Sequence, residues 1–133
     1  MIEIFCDGGS RGNPGPAAFG FVVKDSKKLI KEGRGYIGVA TNNFAEYTAV
    51  IEALKWLKEN YPGKDLRFYL DSELVASQLS GLYKVKNAKI RDQIFEIRSL
   101  ETSFGQISYQ YTSRELNREA DKLVNQVLDE YGI

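Results

Sequence analysis

The sequence predicts an α/β domain: a mixed five-stranded sheet in the order βββαβααβα, with helices on its faces. Two patterns carry this expectation. Short apolar runs bounded by Gly, Pro or Asp recur at residues 1–7, 17–24 and 65–70. Between and after them the apolar spacing switches to the helical period. Length supplies a third constraint: 133 residues, 43% hydrophobic and 27% charged, suit one hydrophobic core, so residues 1–133 are expected to form a single domain.

Residues 1–7 read as a short strand. The run from Asp7 to Pro16 holds four glycines and two prolines and is expected to be loop. Residues 17–24 form a buried strand, and Asp25-Ser26-Lys27 turns the chain into a third strand at 28–36. Gly33 and Gly35 suggest a bulge or an edge position there. From about 43 to 60, Glu46, Ala49, Val50, Ala53 and Leu57 share one side of a helix, which Tyr61-Pro62-Gly63 ends. A fourth strand covers 65–70, and a short helix covers 72–80 before Gly81. A second helix spans 88–100 with Ile90, Ile94 and Ile97 inward. Residues 107–112 alternate as the fifth strand. The last helix runs 117–131 with Ala120, Val124, Val127 and Leu128 toward the core.

Lys plus Arg and Asp plus Glu both total 18, so no net field draws in a polyanion; local basic patches around a metal-loaded site would have to grip one. Cys6 has no partner cysteine, which points to a reducing, cytoplasmic setting. The chain starts directly in a strand with no signal peptide expected, and no apolar run approaches the ~20 residues of a membrane span.

Four acidic residues sit against apolar elements. Asp7 and Asp71 close apolar runs that a βα connection could set side by side, at the edge where open α/β sheets bind ligands. Glu46 and Asp121 fall on the inward stripes of two helices, with Asn117 one turn before Asp121 on the same side. Each has a structural reading: the Asp residues as caps or turn formers, Glu46 and Asp121 as first-turn acids favoured by the helix dipole. Together they have a simpler cause. Carboxylates crowded together need a cation. Oxygen ligands without His suit Mg²⁺ or Mn²⁺, whereas zinc is disfavoured with no His and one Cys. The reaction such sites serve best is phosphodiester cleavage with two metal ions. Without His, Ser-His nucleophile systems are excluded, and without Gly-Lys-Ser/Thr the glycine loop is not a P-loop.

Asp7-Gly8-Gly9-Ser10-Arg11-Gly12-Asn13-Pro14-Gly15-Pro16-Ala17, then Thr41-Asn42-Asn43 with Glu46, then Asp71-Ser72, then Asn117-Arg118-Glu119-Ala120-Asp121, closely resembles type 1 ribonuclease H over roughly residues 1–128. The resemblance implies a ribonuclease H-like fold acting as a monomer. It implies an endonuclease that hydrolyses the RNA strand of RNA/DNA hybrids with two Mg²⁺ ions, Mn²⁺ being a possible substitute. The products would carry 5′-phosphate and 3′-hydroxyl ends. By carry-over, Asp7, Glu46, Asp71 and Asp121 are the metal ligands. Asn13, Asn42 and Asn43 match positions that touch the minor groove, and Thr41 one that helps hold a DNA phosphate. Gly8, Gly9, Ser10 and Asn117 complete the implied substrate contacts, the glycines letting backbone approach the RNA.

Three features depart from the family. Some members carry a catalytic His in the loop before the last helix. Here Arg114 is the nearest substitute, since a guanidinium makes charge-assisted bonds to phosphate; an exposed Arg near a helix start is the competing reading. A basic, tryptophan-bearing protrusion is missing, leaving Tyr83-Lys84-Val85-Lys86-Asn87 and Lys89 to track the DNA backbone or simply to be solvated. Glu73 stands where some relatives have Gln. Trp56 is expected to pack. Two alternatives remain: a non-catalytic hybrid- or RNA-binding module of the same fold, and a related nuclease acting on another duplex, as in resolvases and integrases.

Overall fold

In the computed structural model, which describes residues 1–82 and 84–131, the first three strands form an antiparallel meander. They are β1 (Ile2–Ser10), β2 (Gly15–Asp25) and β3 (Lys28–Ala40). Helix α1 (Asn42–Asn60) leads to β4 (Leu66–Leu70), α2 (Glu73–Leu79), α3 (Ala88–Glu101), β5 (Ile107–Tyr111) and α4 (Arg118–Glu130). The sheet order is β3-β2-β1-β4-β5, with β4 and β5 parallel to β1. This is the expected mixed five-stranded sheet.

Side-chain alternation along β1 sorts the two faces of the sheet. Ile2, Ile4 and Cys6 point into the main core, where Tyr47, Val50, Leu54 and Leu57 of α1 and Val75 and Leu79 of α2 meet Phe68 and Leu70 of β4. Phe5 points the other way, against Ala120 and Leu123 of α4, while Ala18 packs on Val124, Val127 and Leu128. Asp7 continues the Phe5 series and Gly8 the Cys6 series. Among the described residues no helix is long and apolar enough to cross a membrane.

Several boundaries correct the sequence expectation. β1 does not stop at Asp7. It runs on to Ser10, because β2 begins at Gly15 and pairs with it continuously from Ile2↔Asp25 to Ser10↔Ala17. The expected loop therefore narrows to residues 11–14, where the Asn13–Pro14 peptide is cis. β3 continues to Ala40 and is an edge strand, as Gly33 and Gly35 suggested, but neither marks a bulge. The register shifts lie opposite Ala17/Ala18 and Val23/Lys24. A Cβ on Gly33 would meet the ring of Phe21 at 2.2 Å, and one on Gly35 the ring of Phe19 at 2.7 Å, so these glycines seat aromatic rings. The β2–β3 turn uses positive φ at Ser26 and Lys27. Before α4 the expected helix start is a 3-10 turn, Arg114–Asn117. Trp56 packs against the core and lies beside Tyr61, as expected.

Candidate active site

Register decides where two of the acids meet. β1 and β4 pair in parallel up to Cys6↔Leu70, so Asp7 and Asp71 occupy the next step, side by side on the Phe5 face. The capping reading of Asp71 fails, since Ser72 accepts the Val75 amide as N-cap of α2. Asp7, inside β1 and opposite Gly20, is no turn former. Glu46 comes from α1 on the opposite face. It is not in the first turn, because α1 begins at Asn42. It reaches the strand at Gly8, which has no side chain, and its Oε1 accepts the Gly8 amide at 3.3 Å. A Cβ on Gly8 would fall 2.2 Å from the Ala45 carbonyl carbon, so only glycine lets α1 approach this closely.

One oxygen from each of Asp7, Glu46 and Asp71 lies within 4.8 Å of the others. Asp121, in the first turn of α4, lines the same cleft but lies outside that group. Burial raises Asp7 from 3.8 to about 8, helped by the charge of Asp71. Burial, then the charge of Asp7, pushes Glu46 well above the carboxylate range. Asp71 is raised by burial, against the opposing pull of the Asn117 side chain and the Arg114 charge. Glu46 Oε2 is buried without a hydrogen-bond partner among the described residues. An orphaned carboxylate oxygen beside two more carboxylates, with oxygen the sole donor type, fits a hard divalent cation.

The remaining expected residues divide into two groups. Ser10 donates from N and Oγ to Asn42 Oδ1 at 2.8 and 3.0 Å, and the Asn42 amide donates to Asn13 Oδ1 at 3.0 Å. These bonds tie the β1 end, the 11–14 loop and the start of α1 into one platform. Thr41 is the N-cap of α1, its Oγ1 accepting the Phe44 amide. Gly8, Gly9, Ser10, Asn42, Asn43 and Arg114 line the cleft. Asn117 does not. It is 0% exposed and donates from Nδ2 to the Cys6 carbonyl at 2.8 Å, so the expected substrate contact is instead a strut beneath Asp71. Of the basic stretch, Tyr83 lies outside the described residues, Lys84, Lys86 and Lys89 are exposed, and Asn87 caps α3. Glu73 opens α2. The sequence reading singles out neither Arg11 nor Asn125, both of which line the cleft. The available signal was the four-residue spacing of Asp121, Asn125 and Asp129.

A meander-first mixed sheet with an acidic cleft at the carboxyl edge of β1 and β4 defines a protein of the ribonuclease H-like fold class. The chain matches the Reverse transcriptase-like family over residues 5–127. The "Ribonuclease HI" of Halobacterium salinarum is 39% identical over 97% of this chain and 65% of its own length. The "Bifunctional protein Rv2228c" of Mycobacterium tuberculosis is 38% identical over 96% of this chain. The present chain spans only 35% of that relative's length. The structure of LC11-RNase H1 in complex with RNA/DNA hybrid superposes with a TM-score of 0.95 at 36% identity, covering 100% of both chains. The chain belongs to the type 1 ribonuclease H family.

Proposed function

We propose that this chain is an endonuclease that hydrolyses the RNA strand of RNA/DNA hybrids with two divalent ions, Mg²⁺ or in its place Mn²⁺, leaving 5′-phosphate and 3′-hydroxyl ends. The observation that carries the reading is the meeting of Asp7, Glu46 and Asp71 oxygens within 4.8 Å beside the Ser10–Asn13–Asn42 platform. Asp7, Glu46, Asp71 and, from the opposite wall, Asp121 would hold the ions. When bound, the ions supply activation of the attacking water and neutralise charge developing on the leaving oxygen.

The chain's own groups do the rest. Asn42 Oδ1 is consumed by Ser10, which leaves the Asn42 Nδ2 donor for a minor-groove acceptor or a 2′-hydroxyl. Asn13, held the same way, presents its amide to the same strand, and Asn43 and Thr41 extend the surface toward the DNA backbone. Arg114 sits where its guanidinium can hydrogen-bond the scissile phosphate. The water oxygen forms the new bond to phosphorus as the P–O3′ bond breaks, and the departing 3′-oxygen takes up a proton. A 2′-hydroxyl requirement selects RNA over DNA as the cleaved strand.

The test uses end-labelled RNA/DNA, RNA/RNA and DNA/DNA duplexes with magnesium and with EDTA. Cleavage confined to the RNA of the hybrid and abolished by EDTA is expected. Binding of the hybrid without cleavage in any divalent ion would refute the enzyme reading.

A further inference from the structure

The group of carboxylates that meets within 4.8 Å is Asp7, Glu46 and Asp71, while Asp121 faces them from α4. What holds Asp121 is the next turn of its own helix. Asn125 Nδ2 lies 3.1 Å from the Asp121 carbonyl oxygen and 3.4 Å from its Oδ2. Asn125 Oδ1 in turn accepts from Arg11 Nη2 at 3.4 Å, and the same nitrogen is anchored on Asp129 Oδ1 at 2.7 Å. Asp121, Asn125 and Asp129, four residues apart, form one stripe on α4.

An amide has one donor end and one acceptor end. Turned over, the Asn125 amide would set its NH₂ against the guanidinium and its carbonyl oxygen against the Asp121 carboxylate. Both contacts are repulsive, so the Arg11 charge fixes which end faces Asp121. Arg11 belongs to the 11–14 loop and reaches across the cleft to α4, so the loop and the stance of Asp121 are linked through one amide.

We propose that Asn125, oriented by Arg11, is a positioning residue that aims the Asp121 carboxylate at the other three and so sets the cleft's affinity for a divalent cation. The inference rests on the proposed function only in taking that cation to be the one used in cleavage.

The test compares Asn125→Ala, Arg11→Ala and the double variant with the parent by three readouts. These are Mn²⁺ affinity without nucleic acid, followed by electron paramagnetic resonance, the Mg²⁺ concentration for half-maximal hybrid cleavage, and KM for the hybrid. Each single variant should weaken Mn²⁺ binding about tenfold, the lower end of what losing an outer-shell partner costs. The double variant should be no weaker than either single, because the two residues act in series. KM should hold, and the thermal midpoint should barely move, since the Arg11–Asp129 pair is exposed. Parental Mn²⁺ affinity in Asn125→Ala overturns the proposal. So do effects that multiply in the double variant, which would make Arg11 an independent contact. A parent that binds Mn²⁺ but leaves hybrid intact defeats the proposed function while the Mn²⁺ titration still decides this one.

Discussion

The Gly8 amide donates to Oε1 of Glu46 at 3.3 Å, joining β1 to α1 at a position where the helix backbone lies directly against the strand. The contact has two consequences: it carries Glu46 through to the face where Asp7 and Asp71 sit, and it leaves no room for a side chain at residue 8.

Gly8→Ala is therefore expected to damage both stability and the site. The added Cβ would lie 2.2 to 2.4 Å from the Ala45 carbonyl group and the Glu46 nitrogen, all backbone atoms that cannot swing aside. Overpacking of this kind costs about 1–3 kcal/mol or more. Thermal unfolding should show the loss, and divalent-ion affinity should fall with it as Glu46 is displaced. A variant of parental stability would show that the helix can retreat freely.

Asp7→Asn and Asp71→Asn should each lower kcat on a hybrid by about a thousandfold, the several kcal/mol expected of an ion-dependent step, with the fold intact by circular dichroism. Near-parental turnover by either variant would remove these residues from the chemistry.

The pH dependence has a definite sign. Asp7 is raised from 3.8 to about 8 in the folded chain. Between those values the folded chain keeps a proton that the unfolded chain has released, so rising pH favours unfolding. The stabilisation is complete below 3.8 and lost as pH passes about 8. Metal-free parent should lose on the order of a few kcal/mol across that window relative to Asp7→Asn, which cannot titrate there. Melting both proteins in EDTA at about pH 5 and about pH 8 checks it. The gap should widen with pH and close in the parent when magnesium is restored. A gap that is flat with pH contradicts the assignment.

Asn117→Ala removes a fully buried donor from the Cys6 carbonyl and from Asp71. Leaving that carbonyl unsatisfied should cost about 1–3 kcal/mol by chemical denaturation. Activity should fall as well, through Asp71, with hybrid affinity largely kept. If KM rises instead while stability holds, Asn117 meets substrate after all.

Arg114→Ala should reduce kcat about tenfold, the worth of one charge-assisted hydrogen bond, with KM nearly unchanged. Steady-state kinetics at two salt concentrations separates this from simple charge loss, and an unchanged kcat would return Arg114 to the solvated surface.

Much of this site was legible in one dimension because it is written in local periods. Glu46 shares the three- and four-residue spacing of Ala49, Val50, Ala53 and Leu57, which marks it as inward whatever the rest of the chain does. Asp71 follows an alternating run, and Asp121 sits one turn before a buried stripe. Those patterns, with the motif around residues 7–17, were sufficient for the element order and the sheet class, and they singled out four acids that line one cleft, three of which meet within 4.8 Å.

Contacts between distant segments were not legible. Gly8 and Gly9 look like loop by composition, yet β2 pairs with them and makes them strand, since strand formation is decided by the partner and not by the residue. Asn117 reads as an inward-facing residue that meets substrate, yet the close approach of β1 buries it fully beneath the cleft. Arg11 and Asn125 are 114 positions apart, and nothing in their neighbours foretells that they meet. Periodicity is a property of a few consecutive residues and survives in the bare sequence. Register, helix-to-strand distance and the aim of one amide depend on how the whole chain closes around its core, and they exist only once it has folded.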